Sequence, residues 1–262
     1  MDGLEGLFWP AGRKCAVSIT FDDALPVHYE LAGPALEARG MRGTFYLHIA
    51  TSPSSDPMPW RALAARGHEL GNHSLFHPCR RKAEYKGWLD KAFDLRRYEP
   101  KRFQQEVRVA NAFLKLIDGL GERTYAYTCY DTHLGRWPNK TAICDLIRSD
   151  FVAARGRRTD KPVIVSHNLD VMNLDSFQAD GLSLSSLIDA TNVTRDRGGW
   201  LILVFHGIGS GTHGLFVEPS TLNRLLDHLA TQNEIWVAPV VEIAKSLPTI
   251  SQRDRQTPAN PA

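Results

Sequence analysis

The sequence lacks any marked excess of charge. Its 262 residues carry 31 Lys+Arg against 29 Asp+Glu, a formal net charge of +2. No sustained basic block occurs, so no nucleic-acid partner is expected. Long hydrophobic runs are also missing. The longest, Trp200 to Phe205, falls far short of the ~18–20 residues that a membrane span needs. Met1 to Pro10 carries Asp2 and Glu5 and has no apolar h-region. It does not read as a secretory leader, so a cytoplasmic protein is expected, with secretion open if a leader was removed. Cysteine is scarce. Cys15, Cys79, Cys129 and Cys144 show no CxxC spacing, which argues against a zinc ribbon or a dense disulfide framework. No internal repeat is visible.

What is present is an ordinary apolar content of 43%, enough for a large core, and ten histidines. Short apolar, β-favouring runs alternate with helical patterns. The predicted strands are Cys15 to Phe21, Gly43 to His48, Glu69 to Asn72, Thr124 to Tyr130, Phe151 to Ala154, Pro162 to Val165, Trp200 to His206 and Ile235 to Pro239. The clearest helix spans Lys101 to Asp118, where Phe103, Val107, Ala110, Leu114 and Ile117 step along one face. Pro219 opens another, with Leu222, Leu225, Leu226 and Leu229 apolar, and weaker helical patterns cover Asn139 to Ser149 and Ser183 to Asp196. This alternation predicts an α/β fold with a mainly parallel sheet of seven or eight strands, either a barrel or a doubly wound sheet. In both, function gathers where strands end. Arg80 to Pro100 breaks the pattern and reads as a surface excursion. The polar stretch 249–262 reads as a disordered tail after one domain over 1–248.

Three strand ends offer chemistry. The first ends in Asp22-Asp23, where two carboxylates can reach one site at a sheet edge. The third runs into His73-Ser74-Leu75-Phe76-His77-Pro78, whose histidines are spaced so that both imidazoles can meet one metal. The most apolar strand ends at His206. Solvated turn aspartates and a core histidine bonded to a carbonyl are the plainer readings of each piece alone. Together, two carboxylates and three imidazoles suffice for a divalent-metal site with a general base and a general acid.

These residues resemble a known family. TFDD at 20–23, HSLFHP at 73–78 and Leu203-Val204-Phe205-His206 are similar to three ordered motifs of the polysaccharide deacetylases, the NodB-homology family of carbohydrate esterase family 4. The likeness extends from Trp9 to about Leu247. It implies a distorted (β/α) barrel and an Asp-His-His metal site, most often zinc. By motif, Asp23, His73 and His77 match the metal ligands, Asp22 the base and His206 the acid. Leu203 is taken as the apolar wall beside the acetyl methyl. The chain departs from the pattern at its third motif, where Ala126-Tyr127-Thr128-Cys129-Tyr130 lacks the arginine expected to pair with the base. Arg155 is the candidate replacement, against an ordinary surface arginine, and the Cys129 N–H is the expected oxyanion donor. Ala24 stands where glycine is more usual. The aspartate that tunes the acid histidine is not located; Asp170 and Asp175 lie in the right region without a clear context. The resemblance also brings Cys79 and Cys129 near the pocket. They could bridge in an oxidising compartment, but the absent leader favours two free thiols.

The implied partner is an acetylated carbohydrate, N- or O-linked. Trp60, Tyr85, Trp88 and Trp137 could stack on sugar rings, although such residues are more often packed. Two other readings stand beside this one: opening of a cyclic amide or ureide on the same fold, and a non-catalytic carbohydrate-binding homologue.

Overall fold

A computed structural model describes residues 9–247 except 11, 86, 160–162 and 166–168. The predicted tail at 249–262 lies outside the described residues. Eight strands are used below: β1 (Cys15–Asp22), β2 (Thr44–Leu47), β3 (Glu69–Asn72), β4 (Tyr125–Ala126), β5 (Ala154–Arg158), β6 (Leu174–Gln178), β7 (Trp200–Phe205) and β8 (Ile235–Val237). The first seven pair in parallel in sequence order, and β7 pairs back onto β1, which closes a barrel. β8 lies outside this ring, against the start of β1.

Alternation along the strands builds two packed layers. Val17, Ile19 and Phe21 of β1, with Leu201, Leu203 and Phe205 of β7, face the surrounding helices. The helices on that face are α1 (Gly33–Glu37), α2 (Met58–Ala65), α3 (Pro100–Asp118), α5 (Leu184–Arg197) and α6 (Pro219–Ala230), while α4 (Ile143–Ile147) packs in a second cluster with Phe103 and Tyr125, and α7 (Val240–Ser246) lies elsewhere. In α3 the buried residues are Phe103, Val107, Ala110, Leu114 and Ile117, the face its periodicity predicts. Pro100 starts that helix and Gly119, at φ 77°, ends it in the left-handed conformation. On the other strand face, Ala16, Trp200 and Ile202 pack with Val240 and Ile243 of α7.

Several boundaries differ from expectation. β6 was not predicted, because its sequence LDSFQ buries Asp175 and Ser176 and so shows no apolar run. β5 starts where the predicted strand ends, and Val163–Ile164 is an antiparallel appendage to β7, not a barrel strand. The fourth predicted strand is only Tyr125–Ala126, followed by a 3-10 turn at Thr128–Tyr130. Arg80 to Pro100 is not a loose excursion. Leu95 and Tyr98 pack with Phe103, Tyr125 and Tyr127, and within the segment Asp94 bridges Arg96 and the Arg81 amide. Among the described residues, no helix is long and apolar enough to cross a membrane.

Candidate active site

The parallel register sets the strand ends at a common rim. Asp22 lies opposite Tyr46, Leu47 opposite Asn72, Ala126 opposite Arg155, and Val204 opposite Gln178. The next residues along the chain therefore meet over one mouth of the barrel: Asp23, His48, His73 and His206.

The histidine loop is shaped by its neighbours. Asn72 donates from Nδ2 to the Val107 carbonyl on α3, and its Oδ1 accepts from the Ser74 amide at 2.6 Å. Ser74 Oγ then accepts from the His77 amide at 2.9 Å. These bonds hold Ser74 and His77 at φ 70° and 53°. The result brings His77 Nε2 to 3.2 Å and His73 Nε2 to 3.6 Å from Asp23 Oδ1. His73 Nδ1 bonds the Ala126 carbonyl at 2.9 Å. That carbonyl requires the proton on Nδ1 and leaves the Nε2 lone pair facing Asp23. Burial lowers the His73 pKa to about 3, so the ring is neutral. Asp23 Oδ1 is buried without a hydrogen-bond partner. A buried orphan carboxylate oxygen faced by two imidazole nitrogens is the donor set a divalent cation satisfies, and Asp23, His73 and His77 fit one. Burial opposes ionisation of Asp23, but His77 and His206 hold it far below the ordinary carboxylate range.

Asp22 points into the barrel. Arg155 Nη2 donates to its Oδ2 at 2.5 Å, and both side chains are buried. Burial would raise the Asp22 pKa; Arg155, with His206, lowers it below the usual value. Asp22 Oδ1 keeps no protein partner. The guanidinium lies against the rings of Tyr46 and Tyr130, with Cζ 4.9 and 5.8 Å from their centroids, which softens the cost of burying it. Arg155 is thus no surface arginine.

His206 meets a residue the sequence reading missed. Its Nδ1 lies 2.7 Å from Asp180 Oδ2, and its amide donates to Asp180 Oδ1 at 3.0 Å. Burial would lower the His206 pKa, but Asp180, Asp22 and Asp23 raise it to about 9. Neither considered aspartate occupies this place. Asp175 pairs with Arg157, and Asp170 accepts from the Met172 amide. The signal that could have found Asp180 is the β6–β7 register. Leu203 pairs with Phe177 and Val204 with Gln178, and the same offset of 26 carries residue 180 to His206.

Three further expectations are corrected. Leu203 is fully buried in the helix-side core with Ile19, its register partner, so it does not line the mouth. Strand alternation puts Val204 on the interior face, beside Thr20. Trp60 is a core residue whose Nε1 donates to Ser52 Oγ, and it offers no face to a sugar. Trp88 and Trp137 are exposed, and Trp88 stands 6.0 Å from the His77 ring. The Tyr85 side chain lies outside the described ones. Cys79 and Cys129 are not free thiols. They form a disulfide with Cα atoms 5.8 Å apart, which joins the histidine loop to the Thr128–Tyr130 turn. Cys129 sits in that turn at φ 52°. Ala24, in place of glycine, adopts φ 55° while buried, a strained choice of roughly 1–2 kcal/mol.

With this geometry in view, comparison with known proteins is direct. Residues 10–139, which carry the first two motifs and the 126–130 segment, match the polysaccharide deacetylase family model. Just under half of the chain thus matches the polysaccharide deacetylase family. Among solved structures, a putative polysaccharide deacetylase from Mycobacterium smegmatis superposes with a TM-score of 0.61 at 16% identity, covering 98% of this chain and 96% of that one. A family 4 acetyl xylan esterase from Clostridium thermocellum, in complex with a cobalt ion, gives 0.52 at 16% identity, covering 89% and 93%. These likenesses show a shared fold. A curated relative, a gellan lyase from Bacillus sp, is 27% identical over 152 residues, which are 58% of this chain. The match spans only 5% of the length of that relative.

Proposed function

We propose that this chain is a divalent-metal-dependent hydrolase that removes acetyl groups from a carbohydrate. The observation that carries this reading is the pairing of two opposite proton carriers across one metal-fitting triad. Asp22 is held ionised by Arg155 with Oδ1 open, and His206 is held protonated by Asp180. Carriers with pKa values pushed apart are what acid–base hydrolysis at one pH requires.

A cation bound by Asp23, His73 and His77, with zinc as the first choice, would supply Lewis-acid polarisation of the acetyl carbonyl. The chain's own groups do the rest. Asp22 Oδ1 takes the proton from the attacking water. The Cys129 N–H, fixed by the disulfide and the left-handed turn, serves the developing oxyanion. His206 Nε2 gives its proton to the departing nitrogen or oxygen, while Asp180 keeps the ring oriented through Nδ1. Val204 replaces Leu203 as the apolar wall beside the methyl.

The test is acetate release from acetylated chitooligosaccharides and acetyl xylan after chelation and after zinc or cobalt is restored. Activity that disappears on chelation and returns with metal supports the reading. Activity indifferent to the chelator removes the metal from the mechanism. Ring opening of a cyclic amide without acetate release would replace the deacetylase reading with the second one.

The disulfide also bears on location. Reducing compartments keep thiols reduced, so the Cys79–Cys129 bond favours an oxidising one over the cytoplasm expected from the N-terminus. Alkylation of thiols in freshly harvested cells, read by mass spectrometry, separates the two.

A further inference from the structure

Beyond His206, a second imidazole faces the same point. After β7 the chain makes a loop over residues 209–215. Its base is closed by two short parallel strands, Gly207–Ile208 and Phe216–Val217. Gly207 donates its amide to the Leu215 carbonyl and Gly209 donates to Val217, both at 2.9 Å. The loop is laid directly on the backbone that follows the acid histidine. A Cβ added at Gly207 would fall 2.4 Å from Thr212 Oγ1 and 2.9 Å from His213 Cβ, so only glycine permits this approach.

The loop carries His213 inward. Its ring stacks on His206 with centroids 5.1 Å apart and planes 8° from parallel. Nδ1 is anchored on Leu215, 3.1 Å from its amide and 3.0 Å from its carbonyl. Nε2 lies 3.6 Å from Asp23 Oδ2, and His206 Nε2 lies 3.9 Å from the same oxygen. The two rings therefore present the same nitrogen to one place. His213 is the outer of the two, with 31% of its side chain exposed against 12% for His206. A histidine needed only for solubility would point its polar edge to water.

We propose that His213 is a substrate-binding residue that hydrogen-bonds the leaving-group side of the substrate. This rests on the deacetylase reading above. His206 serves the leaving atom itself. A ring stacked one step outward meets atoms a few bonds further along the leaving group. On an acetylated sugar, those atoms are a ring hydroxyl neighbouring the acetylated position. The partner chemistry is thus a vicinal hydroxyl, a group that small aryl esters lack.

The experiment compares the wild type with His213→Ala and His213→Gln on an acetylated chitooligosaccharide and on nitrophenyl acetate, with zinc affinity measured alongside. For His213→Ala, kcat/KM on the oligosaccharide should fall about tenfold, mainly through KM, as expected for one lost hydrogen bond to substrate. On the aryl ester it should stay within about twofold, and His213→Gln should recover part of the loss on the sugar. Zinc affinity should not change. Equal losses on both substrates, weakened zinc binding, or an unchanged oligosaccharide KM would each overturn the role. Wild-type protein that releases no acetate from any carbohydrate overturns the deacetylase reading and this role with it. Wild-type release with an unaffected His213→Ala variant overturns the role alone.

Discussion

The two ends of the barrel treat buried carboxylates in opposite ways. At the N-terminal end, Glu69 is saturated. Its Oε1 accepts from the Thr124 amide and hydroxyl at 2.8 and 2.7 Å, and its Oε2 accepts from Thr44 Oγ1 and the Val241 amide at 2.8 and 3.0 Å. At the C-terminal end, Asp22 and Asp23 each leave Oδ1 unpaired, and Arg155 leaves Nε and Nη1 unpaired. Backbone strain divides the same way. Among the described residues, the non-glycine positions at positive φ are Asp23, Ala24, Ser74, His77, Cys129 and Tyr130, all at the mouth. One end spends its polar groups on holding the barrel together, and the other keeps them open for a ligand.

This contrast can be broken most severely at Asp22. Asp22→Asn keeps the shape and removes the base, so acetate release should fall by about 10³-fold; the thermal midpoint should also drop, because the buried Arg155 loses its charged partner, and activity is therefore read per folded protein. A variant that turns over normally would strip Asp22 of its role. Next in size is Asp180→Asn. It removes the charge that raises His206, so kcat should drop by about 10- to 100-fold, and the alkaline limb of the pH profile should move to lower pH. An unmoved limb would mean that Asp180 only packs.

The opposite outcome is expected at the other end. Glu69→Ala leaves two amides and two hydroxyls without their acceptor. It should cost about 2–4 kcal/mol in urea unfolding, with metal affinity retained in the folded fraction. Loss of metal binding in well-folded protein would erase the division between the ends.

The smallest effect concerns His68, which lies near the closed end. Its Nδ1 accepts from the Gly43 amide at 3.0 Å and its Nε2 faces Glu37 at 3.1 Å, an arrangement made for the neutral ring. Burial lowers its pKa from 6.5 to about 4, although Glu37 opposes the shift. The unfolded chain takes up this proton first as pH falls. The contribution is therefore complete above 6.5 and declines toward about 4, by about 1.4 kcal/mol per pH unit. Urea midpoints at pH 7.5 and pH 5, values chosen at roughly either side of that onset, should separate more in wild type than in His68→Gln. Identical separation would remove His68 as a source of acid sensitivity.

The same two ends explain what the sequence makes legible. Strands β1, β2 and β7 and helix α3 announce themselves, because their burial depends on apolar residues in regular patterns. β6 does not. Its buried Asp175 and Ser176 are satisfied by Arg157, from its side chain and its carbonyl, and polar pairing leaves no hydrophobic period. Losing that strand hides Asp180, which is found only by register. Asp22, Asp23, His73, His77 and His206 lie together at one mouth of the barrel, whereas Leu203 shows the limit of reading a strand without its face. His213 gives no local signal, since its placement depends on a glycine six residues upstream and on a stack made in space.

Arg155 carries a last consequence. It sits directly across from Ala126 in the ladder between β4 and β5. Position 126 is where the third motif would place its own arginine. Because the strands form a ring, a guanidinium at that height can be lent by the next stave with little change in what Asp22 meets. A motif-by-motif comparison counts this as a deletion; in three dimensions it is a migration by one strand. Such exchanges leave a signature in chains of this type: small residues at 126 should travel with arginine at 155, and arginine at 126 should release 155 to vary.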